Sequence, residues 1–142
     1  MIDRQKVQSK LETISLCLDR LTKLQKASRD EFLGDFRCID AAKHNLQVAI
    51  EAMIDVANHL IARRGLALPK SHAEAFGIIA REGWISASDA ARFALMARFR
   101  NRLVHLYEEV SDEEVYRILH EDLGDFRSFL SAMADRLAAN PS

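Results

Sequence analysis

The chain has 142 residues, 49 % hydrophobic and 29 % charged, with a net charge of −1. That balance excludes a disordered chain and a globally basic nucleic-acid binder, so any anion site must be local. Five glycines and two prolines favour long helices over a sheet with many turns, and the length suits a single domain over 1–142 with a core of its own.

The first ten residues, MIDRQKVQSK, contain no apolar stretch of the signal-peptide kind. No apolar run approaches the roughly 18 residues a membrane helix requires, and the expected location is the cytoplasm. Val7, Leu11, Ile14, Leu18 and Leu21 then repeat in steps of four and three, one stripe of an amphipathic helix. Ser28 with Glu31 reads as a capping box that restarts a helix. Phe36, Ile39, Leu46, Ile50, Met53, Ile54, Leu60 and Ile61 extend this second helix to about Arg63, with Gly65 as its C-terminal stop. Val48, Val56 and Ala57 lie off the main stripe, which suggests a second contact face and hence a dimer, or equally a helix capped on two sides by its own bundle.

Ser71 with Glu74 opens a short helix that ends at Gly83. Ser86 with Asp89 opens a fourth, with Phe93, Met96, Phe99, Leu103 and Val104 on its stripe. Ser111 with Glu114 opens the last, which carries Val115, Leu119, Phe126, Phe129, Leu130, Met133 and Leu137. Beyond about Leu137 the tail is expected to be loose. No alternating strand pattern persists. Short connections between amphipathic helices imply an all-α, antiparallel up-and-down bundle of about five helices. Cys17 and Cys38 fall among apolar neighbours without ligand spacing, so both read as buried free thiols in a reducing compartment, and no metal site is expected.

The fourth helix contains the anomaly. In RFRNRLVHLY, residues 98–107, Arg100 falls in line with Met96, Leu103, Val104 and Tyr107. From Arg81 to His105 there are five arginines against two acids, a local positive patch; Arg92, Arg98 and Arg102 read as a solvated face. Arg100, mid-stripe, must meet an acid, reach a wet cleft or face a subunit interface, because an unpaired buried guanidinium costs several kcal/mol, roughly. Asp40 and Asp55 are candidate acid partners, and Glu51 with Asp55 is a candidate support from across the bundle. Asn101 and His105 are four apart and share a face; Arg100 joins them only if the helix ends or bends near Leu103, or if a second subunit completes the site. An imidazole, a fixed cation and an amide make a minimal kit for breaking a phosphodiester without metal: proton transfer by His105, charge stabilisation by Arg100, orientation by Asn101. RNA suits such a kit because its 2′-hydroxyl is a built-in nucleophile.

RNRLVHLY resembles the R-x4-H-x-Y signature of HepT-like proteins, a branch of the HEPN superfamily. Arg100, Asn101, His105 and Tyr107 match the motif's arginine, following polar residue, histidine and tyrosine. Residues 36–61, FRCIDAAKHNLQVAIEAMIDVANHLI, are similar to the family's second helix and carry Asp40, Gln47, Glu51, Asp55, Asn58 and His59. The resemblance implies an all-helical homodimer with two motifs facing one wet cleft, acting as a metal-independent endoribonuclease toxin of the type VII kind, with tRNA a family-level guess for the substrate. It implies an MntA-like nucleotidyltransferase antitoxin that transfers AMP to the motif tyrosine, here Tyr107, blocking RNA by charge and volume. It implies no cofactor.

Plain readings stand beside these. His59 with Asp55 is an i,i+4 pair that reads as helix-stabilising. His72 and His120 read as surface residues, Trp84 as a cover over a helix end rather than a base-stacking platform, and Tyr107 alternatively as an aromatic closing the bundle. A second function class, a non-catalytic HEPN module binding nucleotide, RNA or a nucleotidyltransferase, fits the near-neutral charge. A purely structural bundle leaves Arg100 unexplained.

Overall fold

In the computed structural model, which describes residues 2–139, every regular element is helical. The helices start where short polar side chains capture free amides. Asp3 accepts from the Lys6 N–H and opens α1 (Arg4–Leu24). Ser28 and Glu31 form a reciprocal capping box at α2 (Arg29–Leu33). Asp35 caps α3 (Phe36–Arg63), Ser71 α4 (His72–Arg81), Ser86 α5 (Ala87–His105) and Ser111 α6 (Asp112–Glu121). A 3-10 turn, Tyr107–Glu109, separates α5 from α6, and α7 (Leu123–Ala139) closes the order.

Seven α-helices stand among the described residues where about five were expected. The two extra breaks split elements that the hydrophobic pattern had joined. Gly34 ends α2 and Asp35 immediately starts α3, its carboxylate accepting the Arg37 N–H at 2.9 Å. Asp122, at φ −114°, ends α6 directly before Leu123. The stops at Gly65 and Gly83 are as expected: both have positive φ, 66° and 82°. In each the next residue's N–H reaches five residues back, Leu66 to Ile61 and Trp84 to Ile79, the paired-bond ending that favours glycine.

α3 is the axis of the fold and packs against α1, α2, α4, α5 and α6. It is buried on most sides, with Ile39, Leu46, Ile50, Met53, Val56, Ala57, Leu60 and Ile61 all covered within this chain, while Asp40, His44 and Asp55 keep one stripe exposed. Val56 and Ala57 therefore give no evidence for a dimer, since the chain's own helices cover them. α1 runs antiparallel to α3, with Asp3 beside His59 and Lys10 beside Asp55. α5 is antiparallel to α3 as well, with Arg100 beside Glu51 and Tyr107 beside Asp40. Phe76, Phe93 and Phe129 meet edge-on at 5.5 to 6.4 Å between centroids and tie α4, α5 and α7 together.

Several side chains depart from their expected places. Phe36, the first residue of α3, is 72 % exposed. Val104 and Tyr107 are exposed too, so Tyr107 does not close the bundle. Cys17 is buried but Cys38 only half-buried. Trp84 is buried, with Arg136 over its ring, which removes it as a stacking surface. Arg92 and Arg102 are not merely solvated: they pair with Asp89 and Asp125, and with Glu114. His120 is exposed, as expected. Beyond Leu137 the chain is helical to Ala139, and the rest of the tail lies outside the described residues. Among the described residues no helix is long and apolar enough to cross a membrane.

Candidate active site

The last turns of α5 leave the core. Leu103 is buried, but Arg100, Asn101, Arg102, Val104 and His105 are half-buried or exposed. Arg100 is the most enclosed of the charged groups here, its side chain 17 % exposed. Its partner is Glu51, not Asp40 or Asp55: Nη2 donates to Glu51 Oε2 at 2.6 Å and Nε to the same oxygen at 3.3 Å. Nη1 donates to Asn101 Oδ1 at 3.1 Å. Gln47 donates to Glu51 Oε1, so the carboxylate is steadied from its own helix. The pair answers how a guanidinium can sit in line with core residues. It is held by one carboxylate and one amide, and its remaining N–H groups face open space.

That space is a cavity of about 750 Å³ between α3, the α3–α4 loop and α5, lined by Asn58, Lys70, His72, Arg100, Asn101 and His105 among others. Among the described residues no carboxylate lines it, so it is locally basic in a chain of net charge −1. Arg100, Asn101 and His105 thus share one cavity within one chain. The helix ends at His105, two residues beyond Leu103, and the breadth of the cavity accommodates the angular spread. A smaller adjoining cavity, about 420 Å³, is lined by Glu51, Asp55, Asn58, His72 and Arg100. Asp55 therefore lies near the site but spends its carboxylate on Lys10, at 2.9 Å. His59 makes no pair with Asp55; its Nε2 accepts the Asp3 N–H at 3.1 Å. Burial, then the positive charges of Arg63 and Lys6, push the His59 imidazole below its ordinary pKa, which suits an acceptor.

Tyr107 is outside the cavity lining and belongs to a second cluster. Its hydroxyl donates to Asp40 Oδ1 at 3.3 Å, and Lys43 Nζ sits 4.2 Å from its ring centroid. Lys43 is itself nearly buried and lies 3.7 Å from Asp112. Burial first, then the charge and hydrogen bond of Asp40, raise the phenol above its ordinary pKa. Asp40 thus serves the tyrosine, not the arginine. Two lining residues have no part in the site as read from sequence: Lys70, which no motif singles out, and His72, which reads as surface. No group of three or more His, Cys, Asp or Glu side chains able to hold a metal occurs among the described residues.

The family model described as "Ribonuclease HepT-like" matches residues 14–133, most of the chain and all of this site. The chain belongs to that family. It is 30 % identical over 125 residues to an mRNA nuclease HepT of Shewanella oneidensis, covering 88 % of this chain and 93 % of the relative. It is 27 % identical over 110 residues to a tRNA nuclease HepT of Aphanizomenon flos-aquae, covering 78 % and 75 %. A solved Shewanella oneidensis HEPN toxin, tri-AMPylated and in complex with an MNT antitoxin, superposes with a TM-score of 0.84 at 29 % identity, covering 95 % of this chain and 99 % of that one. The all-α HEPN fold expected from the motif is the fold observed.

Proposed function

We propose that this HepT-like chain is the toxin of a toxin–antitoxin pair, a metal-independent endoribonuclease neutralised by AMP transfer. The observation that carries the reading is the basic cavity that gathers Arg100, Asn101 and His105 with no acid on its lining. A phosphodiester seated there meets a guanidinium whose free N–H groups can hold the phosphoryl oxygens as charge builds. His105, at the open end of α5, exchanges a proton with the reacting oxygens, and Asn101 fixes the orientation of both Arg100 and the phosphate. Glu51 is a positioning residue that holds the guanidinium from behind. The chain acts in the cytoplasm as a homodimer, and the exposed Val104 and Leu106 beside the cavity supply apolar surface for a second copy.

Tyr107 is the AMP acceptor for an MntA-like nucleotidyltransferase. Its oxygen attacks the α-phosphorus of the donor nucleotide, pyrophosphate leaves, and Asp40 takes the phenolic proton. The base is needed because Tyr107 holds that proton more tightly than an ordinary tyrosine. Lys43, against the ring, then meets the new phosphate. The two relatives act on different RNAs by name, mRNA and tRNA, so the substrate proposed here is RNA as a class. One observation favours a second reading, a non-catalytic binding module: Arg100 is already clamped by Glu51 in the free chain. Induced expression of the wild type beside His105→Ala separates the two. Growth arrest with fragmented RNA from the wild type alone supports the toxin; intact RNA and normal growth in both, with soluble protein present, support the binding module.

A further inference from the structure

Cleavage of RNA through its 2′-hydroxyl moves two protons. One leaves the attacking 2′-oxygen and one must reach the departing 5′-oxygen, so efficient catalysis uses a base and an acid. The motif supplies one imidazole per chain. A second imidazole lines the same cavity: His72, the first residue of α4, lies on the cavity that holds Arg100, Asn101 and His105. It also borders the adjoining cavity, so it stands where Arg100 divides the two spaces. Its ring makes no hydrogen bond among the described residues, unlike His59, whose Nε2 accepts a backbone N–H, and His120, whose two ring nitrogens both meet backbone carbonyls. The charged groups lining the two cavities around it are Lys70 on the loop, Arg100 and His105 on α5, and Glu51 and Asp55 on α3.

We infer that His72 and His105 of one chain are the two proton-transfer groups of the cavity, with Arg100 between them on the phosphate. This inference rests on the ribonuclease reading above. As the 2′-oxygen bonds to phosphorus, its proton passes to one imidazole. The bond from phosphorus to the 5′-oxygen breaks, and that oxygen takes a proton from the other, imidazolium, ring. The products are a 2′,3′-cyclic phosphate and a 5′-hydroxyl, and neither metal nor further reactant enters. Lys70, on the same rim, meets a neighbouring phosphate.

The test compares wild type, His72→Gln, His72→Asn and His105→Ala, all checked for helicity by circular dichroism, on two RNA oligonucleotides. One is ordinary; the other carries a 5′-bridging sulfur at the bond the wild type cuts, giving a thiolate that departs without a proton. On ordinary RNA each histidine variant is expected to lose about a hundredfold or more in kcat. On the sulfur substrate the variant lacking the acid, and only that one, is expected to regain most of the loss. Each variant should also lose one limb of the pH profile of kcat. Near-wild-type cleavage by both His72 variants overturns the inference while leaving the ribonuclease reading intact. So does equal loss on both substrates by the His72 and His105 variants alike, which places the acid elsewhere, on the partner copy for instance. An inert wild type overturns the ribonuclease reading and this inference with it.

Discussion

From Ala90 to Phe99, α5 turns Ala90, Phe93, Met96, Ala97 and Phe99 into the core, and Phe93 meets Phe76 and Phe129 edge-on. From Arg100 to His105 the same helix buries only Leu103 and turns a guanidinium, an amide and an imidazole toward a basic cavity. The backbone geometry is continuous through both halves. What changes is what packs against it: aromatic side chains of α4 and α7 in the first half, single carboxylates of α3 and α6 and open space in the second. The packed half fixes the helix, and the open half borrows that rigidity to hold polar groups whose own contacts are few. Stability and chemistry should therefore separate along one element.

The largest expected effect is in the packed half. Phe93→Ala removes a fully buried ring and should cost about 3–5 kcal/mol of stability in thermal or urea unfolding. If that loss were small, the aromatic cluster would not be what fixes α5. Next, Arg100→Ala should lower RNA cleavage by about 10²–10³-fold while the melting transition moves far less than in Phe93→Ala. Arg102→Ala is its neighbour control. Its bidentate pair with Glu114, at 2.7 and 2.8 Å, lies away from the cavity, so cleavage should hold and stability fall by less than about 1 kcal/mol. Tyr107→Phe should leave cleavage unchanged and abolish labelling by a nucleotidyltransferase partner supplied with radiolabelled ATP. Labelling that persists would move the acceptor off Tyr107.

The smallest expected effect lies at the far end of α3. His59 has a lowered pKa in the fold, so the unfolded chain takes up its proton first, near its ordinary value of 6.5. Its share of stability is full above about pH 6.5 and is lost as pH falls toward the folded value. Thermal melts at descending pH should show a steeper decline for the wild type than for His59→Gln.

Much of this was legible in the sequence because the signals were local. Ser28, Ser71, Ser86 and Ser111 each accept the N–H three residues on, as their spacing with Glu31, Glu74, Asp89 and Glu114 foretold. Gly65 and Gly83 stop helices for the same reason: a positive φ is a property of one residue. The misses at the site were relations between distant segments. Asp40, Glu51 and Asp55 lie along the same long helix as candidates for Arg100. Which one is level with it depends on the offset between α3 and α5. Four residues along a helix is about 6 Å and eleven about 16 Å, and Asp55 accordingly meets Lys10 and Asp40 meets Tyr107. His72 read as surface because nothing near it announces that the α3–α4 loop returns beside the end of α5. The break at Gly34 and Asp35 was hidden by a capping box that started one helix and an apolar stripe that ran on into the next.

The most direct test of the central claim is RNA cleavage by the purified protein in excess EDTA, with wild type and His105→Ala compared at equal helicity. The account predicts discrete cleavage by the wild type and none by His105→Ala. Cleavage of equal rate and pattern by both, or a wild type that binds RNA without cutting it, would contradict it.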